Sequence, residues 1–192
     1  MNDTLDFRAL QAAWRRGELQ ARDALVGLVY QEAREIARRQ LALHASATLA
    51  PTELAHEALM RVLKQTGEWA DRRHLMNVLG LATRQILVDA ARRRQAMKRD
   101  PGVITTLDDK ADVLPEPVPD RAILDVDDAI EALAEADARA AEVISLTYFS
   151  GLDREAIASL LEVSPSTVDR ALRFGRAWLK DALRDWPGGD GR

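Results

Sequence analysis

The sequence predicts an all-α protein: two helical domains joined by an acidic, proline-containing linker, with a helix-turn-helix in the C-terminal domain. Three observations point there. Apolar residues recur at helical spacing along most of the chain. Alanine, leucine and arginine are abundant while aromatics make up only 5%. Between residues 100 and 120, prolines and acids replace apolar residues, a composition that cannot build a core. A chain of 192 residues holds one ordinary domain or two small ones. The linker at 100–120 favours two, at 1–99 and 121–186, with a frayed tail at 187–192.

Residues 4–43 read as two helices. Leu5, Leu10 and Trp14 begin an apolar stripe, Gly17 breaks it, and Leu25, Leu28, Val29, Ile36 and Leu41 resume it. Arg34, Arg38 and Arg39 lie on the polar face, where solvation explains them as well as a partner does. The small-residue stretch 44–50 connects to a helix opened by Pro51, with Thr52 and Glu53 in its first turn. Leu54, Ala58, Leu59, Val62 and Leu63 carry it to about Lys64, and Thr66, Gly67 and Glu68 end it. WADRR (69–73) is a short charged turn. A long helix then runs from about Arg73 to Lys98, with Leu75, Val78, Leu79, Ala82, Ile86, Leu87 and Ala90 as its apolar positions.

The second half of that helix is basic, with Arg84, Arg92, Arg93, Arg94, Lys98 and Arg99 opposed only by Asp89. Cations at a helix C-terminus complement its dipole. Six exceed what capping needs, and contact with phosphates is the better reading. The net charge of −4 hides this asymmetry. Residues 100–137 carry twelve acids against Lys110 and Arg121, a net of −10, so the remainder of the chain stands at +6. Trp69 sits beside Arg72, Arg73 and His74. It can stack on an unpaired base or fold back as an apolar plug.

After the linker, a helix from Ile123 to about Ala136 buries Val126, Ile130 and Leu133. Asp137 caps another, with Val143, Ile144, Leu146, Tyr148 and Phe149 as its apolar residues and Gly151 as its end. In Gly151–Leu179, Asp153 caps a short helix with Ile157, Leu160 and Leu161 on its apolar face. Glu162 and Val163 make a break. Ser164 as N-cap and Pro165 at the first helical position start a second helix. Val168, Leu172, Trp178 and Leu179 face inward, while Ser166, Thr167, Asp169, Arg170 and Arg173 point outward. An ordinary helical hairpin shares this spacing, but the polar, arginine-bearing face suits a DNA major groove.

Several functions are disfavoured. The chain has no cysteine, so it has no disulfide, thiolate metal site or cysteine nucleophile. His44, His56 and His74 are too scattered for a metal cage. His56 and Glu57 start an HExxH pattern, but Met60 stands where the second histidine belongs. No phosphate-binding glycine motif occurs, and the carboxylates lack an apolar cleft. The chain is therefore not expected to be an enzyme or to hold a cofactor or metal. No apolar run approaches the ~18 residues of a membrane span, and the N-terminus lacks a signal pattern. A cytoplasmic protein without membrane contact is expected.

APTELAHEALMRVL (50–63), WADRRHLMNVLGLATRQILVDAARRRQAMKR (69–99) and the helix-turn-helix together resemble an RNA polymerase sigma factor of the extracytoplasmic-function (ECF-like) subfamily. The resemblance covers nearly the whole chain, least in the linker. It implies core RNA polymerase and promoter DNA as partners, and a chain that is monomeric when free. Thr52, Glu53, His56, Glu57 and Arg61 match the helix that docks on the polymerase clamp. Trp69, Arg72, Arg73, His74 and Asn77 match the part that captures a flipped base of the −10-type element, and Arg84, Arg92, Arg93 and Arg94 the part that contacts its duplex. Ser164, Ser166, Thr167, Arg170 and Arg173 match the helix that reads the −35-type element, with arginine suited to guanine edges or phosphates.

Two departures stand out. Glu162 replaces the usual glycine of the turn, a left-handed position costing about 1 kcal/mol without glycine. The clamp-binding helix begins APTE rather than with the family's acid-rich start. A phosphate on Thr52 would restore negative charge at the positive end of that helix. Thr52 is thus a candidate site for a Ser/Thr kinase, beside the plainer reading of an ordinary first-turn residue. The competing functional readings are a stand-alone helix-turn-helix regulator and a helical adaptor.

Overall fold

Local capping sets most of the helix boundaries. The computed structural model describes residues 3–43, 49–64, 69–99 and 120–184. Among these, every regular element is helical: α1 (Asp3–Arg15), α2 (Leu19–Leu43), α3 (Pro51–Leu63), α4 (Arg72–Arg99), α5 (Asp120–Ala136), α6 (Ala138–Ser145), a π-helical turn (Leu146–Ser150), α7 (Arg154–Leu160) and α8 (Pro165–Ala182). The all-α expectation holds. The connections 44–48 and 65–68, most of the linker, the tail and the side chains of Leu5, Lys98 and Arg99 lie outside what is described. No helix among the described residues is long and apolar enough to cross a membrane.

Gly17 separates α1 from α2 at φ 90°, a region glycine enters without steric cost. Pro51 opens α3, where its missing N–H loses nothing. Ala50 has no acceptor with which to cap, but the Glu53 carboxylate reaches back to accept the Ala50 N–H at 2.9 Å. Helix α4 begins one residue earlier than expected because Asp71 caps it, accepting the His74 N–H at 2.8 Å. Asp137 and Asp153 cap α6 and α7 as the sequence predicts. Helix α5 starts at Asp120, so that residue belongs to the helix and not to the linker.

The largest apolar core joins α1–α4. Phe7, Leu25, Leu54, Leu75 and Leu79 are completely or almost completely buried there. Phe7 was missed by the sequence pattern. Two smaller cores lie among α5–α8, one around Ile130, Leu133, Ile144 and Phe149, the other around Val143, Leu146, Ile157 and Val168. Gly175 lets α8 approach α6, since a β-carbon there would stand 2.6 Å from Ile144 Cγ1. A fourth cluster, Val88, Ala91 and Ile123, spans α4 and α5 and joins the two halves.

One expected helix ends differently. Instead of running to Gly151 as α-helix, the chain widens after Ser145 into the π-turn and closes at left-handed Gly151. The change swings Tyr148 outward, where it is 41% exposed, so it is not the core residue the apolar pattern suggested. Phe149 and Ser150 remain buried.

In the turn before α8, Glu162 adopts φ 54°. The left-handed conformation expected of it is present, and its side chain gains nothing visible to offset the steric cost. Glu162→Gly should raise stability by roughly 0.5–1 kcal/mol, and β-branched Glu162→Val should lower it by at least as much. Urea unfolding of the two variants beside the parent checks both signs.

Candidate nucleic-acid interface

Helix α4 presents its basic residues along a stripe set by helical periodicity. Gly80, Arg84, Val88, Ala91 and Arg92 recur every three or four residues, and this side faces α5 and the π-turn. Arg84 donates to Asp127 Oδ1 at 2.5 Å, and Arg92 donates to the other carboxylate oxygen at 3.2 Å. The Arg84 and Asp127 side chains are 16% and 7% exposed. The Arg84 guanidinium also lies over the Phe149 ring, 4.9 Å from its centre. Two residues further along, Arg94 Nε donates to Asp120 Oδ1 at 2.8 Å. Three arginines expected to bind phosphate are therefore engaged by carboxylates of α5. Their partners, Asp120 and Asp127, were not singled out from the sequence, although the opposing charges of the two regions carried the signal.

Arg93 is exposed and donates to the backbone carbonyl of Asp89. Asp89 organises the outer side of α4: Gln85 donates to it at 2.8 Å and Arg61 of α3 at 3.2 Å. These bonds, Gln85 first, hold the Asp89 carboxyl below its ordinary range against the opposing effect of burial. A lowered carboxyl stabilises the fold above its unfolded-state value, and that contribution is lost as pH falls through the folded value.

At the start of α4, the apolar plug is the one of the two readings of Trp69 that is present. Trp69 is buried, only 7% exposed, and stacks on Trp14 with ring centres 5.5 Å apart and planes 16° from parallel. Gln11 donates to the Trp69 carbonyl at 2.9 Å. The indole is thus a plug between α1 and α4, not an exposed platform for a base. Two other residues expected to face DNA also have partners within the chain. Arg72 donates to Glu32 at 2.7 Å and to the Leu28 carbonyl, fastening α4 to α2. Asn77 accepts a bond from the Ser150 hydroxyl at 2.9 Å. His74 is half-buried, its Nδ1 accepting from the Ala70 N–H, whereas Arg73 is exposed.

Helix α3 divides cleanly. Leu54, Ala55, Ala58, Leu59 and Val62 are buried. Glu53, His56, Glu57, Met60 and Arg61 are exposed on the other side at i, i+3, i+4 spacing, and Thr52 at the helix start is half-buried. Met60 is 49% exposed amid these charged groups, giving the face an apolar centre with a polar surround. The His56 ring rests against Tyr30, 5.3 Å between centres.

At the C-terminal end, Ser164 caps α8. Its Oγ accepts the Thr167 N–H at 3.2 Å and lies within hydrogen-bond distance of the Ser166 and Thr167 hydroxyls. Ser166, Arg170 and Arg173 form an exposed row at i, i+4 and i+7, opposite buried Val168, Ala171 and Gly175. Arg154 of α7 donates to Glu155 and to Asp169 of α8, tying the two helices together at the surface. Those carboxylates, Glu155 foremost, raise the affinity of its guanidinium for its proton. Arg170 and Arg173 are thereby left as the outward cations of this face.

The burial of Trp69 generates a clear test. Trp69→Ala should cost about 3 kcal/mol or more in urea unfolding, as truncating a packed aromatic does. An exposed base-stacking tryptophan would change stability by only about 0.5 kcal/mol.

The family model described as ECF sigma factor matches residues 6–185. No curated protein gives a significant match. The match takes in α3, α4 and both helices flanking the Glu162 turn, the segments whose exposed faces are described above. The chain therefore belongs to the ECF sigma factor family.

Proposed function

We propose that this sigma factor docks on core RNA polymerase through the exposed face of α3 and reads promoter DNA with α4 and α8. The observation that carries the reading is the family match over residues 6–185, joined by the outward row Ser166, Arg170 and Arg173 on α8. In this reading residues 1–99 form the polymerase-binding and promoter-melting domain. Residues 100–120 connect it to the −35-reading domain at 121–186, where α7, the Glu162 turn and α8 act as a helix-turn-helix. Glu53, His56, Glu57 and Arg61 meet the polymerase clamp, and exposed Met60 joins them as an apolar contact. On α4, Arg73, Arg92 and Arg93 are the exposed contacts to the −10-type element, with Arg84 and Arg94 more buried behind them. The chain performs no chemistry, since polymerase supplies it, and it works in the cytoplasm as a monomer until it meets the polymerase.

Thr52 is proposed as an activating site for a Ser/Thr kinase. It is the second residue of α3, half-exposed, where a phosphate would bring about −1.5 to −2 charge to the positive end of the helix dipole. The Glu53 carboxylate in the same turn is already engaged with the Ala50 N–H.

Transcription in vitro with core enzyme on a promoter library tests the main reading. Arg173→Ala should cut initiation about tenfold, the scale of one lost base or phosphate contact, without altering the amount of polymerase bound. Failure to co-purify with core polymerase, with DNA bound by the chain alone, would favour a stand-alone regulator. For Thr52, cells carrying Thr52→Ala should lose most target transcription and cells carrying Thr52→Asp should retain it. Unimpaired transcription with Thr52→Ala removes the kinase from the scheme.

A further inference from the structure

We infer that Phe174 is a specificity-determining residue of α8: its ring meets the C5-methyl group of a thymine in the −35-type element. This deepens, and rests on, the reading of α8 as the helix that enters the major groove. Phe174 is 43% exposed, the large apolar side chain of α8 that the fold leaves in water. It stands four residues after Arg170 and next to Arg173, on the flank of the outward row. The small residues on its inner side, Ala171 and Gly175, are buried. A β-carbon at Gly175 would stand 2.6 Å from Ile144 Cγ1 and 3.5 Å from the Ala140 carbonyl oxygen. Helix α8 lies so close to α6 that no space remains beneath it for a ring, and the packing keeps Phe174 outward.

The ring is also held in place. Trp178, one turn on, packs against it with ring centres 6.1 Å apart and planes at 40°, a tilted arrangement that aromatic pairs favour. Phe174 lines an open cleft of about 480 Å³ between α8 and the first turn of α6, together with Thr167, Arg170, Asp137 and Arg139. Arg139 and Arg170 are exposed there. The Asp137 carboxylate is engaged, accepting the Ala140 N–H at 2.9 Å.

Charge decides what kind of partner this is. An apolar ring bordered by Arg139, Arg170 and Arg173 suits a polyanion that carries an apolar group. In the major groove that group is the thymine methyl, while the phosphates on either side attract the arginines. A phenyl ring neither donates nor accepts a hydrogen bond, so its discrimination comes from the methyl alone. Ser166, Arg170 and Arg173 can read polar base edges, and Phe174 adds the one apolar letter.

The experiment uses the full chain with core polymerase on a promoter that it transcribes. Each thymine of the −35-type element is replaced in turn by deoxyuracil, which removes the methyl and leaves every hydrogen-bonding group in place. With the parent, the change at one position should lower initiation about fourfold, the worth of one buried methyl group. Phe174→Ala should lower initiation by a similar factor on the unmodified promoter, and the same deoxyuracil should then cost nothing more. Phe174→Leu, still apolar, should keep the sensitivity to that methyl, and Phe174→Gln should lose it. Circular dichroism checks that each variant folds, and the amount of polymerase bound should equal that of the parent. If Phe174→Ala does not fold, the leucine and glutamine variants decide. Thymine methyls that all cost the same with Phe174→Ala as with the parent overturn the contact. If Arg173→Ala still lowers initiation in that case, the reading of α8 stands and Phe174 alone is misassigned. If neither Arg173→Ala nor any base change in the element alters initiation, the reading of α8 falls and the contact with it. Loss of polymerase binding by folded Phe174→Ala gives the ring to a protein surface and overturns the contact as well.

Discussion

Helix α4 has to serve two sets of neighbours with one sequence of side chains, and the rest of the structure follows from how it does so. Leu75, Leu79, Ile86 and Leu87 belong to the core with α1–α3. Gly80, Arg84, Val88 and Ala91 form the adjoining stripe that meets α5 and the π-turn. A residue moved by one position in this helix would change which half of the molecule it supports. Thr83, between the stripes, is buried and returns its hydroxyl to the Leu79 carbonyl at 2.7 Å, which satisfies it without asking either neighbour for a partner. The cationic residues on the second stripe then need anionic company wherever water is excluded, and Asp127 supplies it for Arg84.

What could be read from the sequence was local. Pro51, Asp137, Asp153 and Ser164 each act within three or four residues of themselves, so their capping roles follow from residue type and spacing. The left-handed Glu162 was foreseen from the resemblance alone, through the glycine usual at that turn. The outward faces of α3 and α8 were legible, like the caps, from residue type and spacing. What escaped was pairing across the chain. Arg72 with Glu32, Arg84 with Asp127 and Trp69 with Trp14 join residues 40 or more positions apart, and helical periodicity says that a side chain faces inward or outward but not whom it meets. The π-turn was hidden because its apolar residues suit an α-helix equally well. Only the added width reveals that Tyr148 leaves the core.

The charge pattern gains a physical meaning from the fold. In the sequence, the acidic segment and the basic helix read as separate features, a linker region and a phosphate-contacting surface. The first acidic helix instead spends part of its charge on the basic one, through Asp120 and Asp127. By contrast, Arg170 and Arg173 of α8 stand exposed, and Arg154 takes Asp169 out of their way. Two cationic surfaces of similar composition thus differ in availability, a distinction that net charge and isoelectric point do not report.

The order in which these parts leave the ribosome adds a consequence for the newborn chain. The core of α1–α4 takes its last buried member from Leu87, so it cannot close until roughly that much chain has been made, about 5–15 s at ordinary synthesis rates. Asp120 and Asp127 emerge only after a further 33 to 40 residues, by which time Arg84 and Arg92 already sit on a folded scaffold. For those few seconds the nascent sigma factor carries bare cations beside ribosomal RNA and the message. Those cations gain their partners, Asp127 for Arg84 and Arg92 and Asp120 for Arg94, only when α5 has followed.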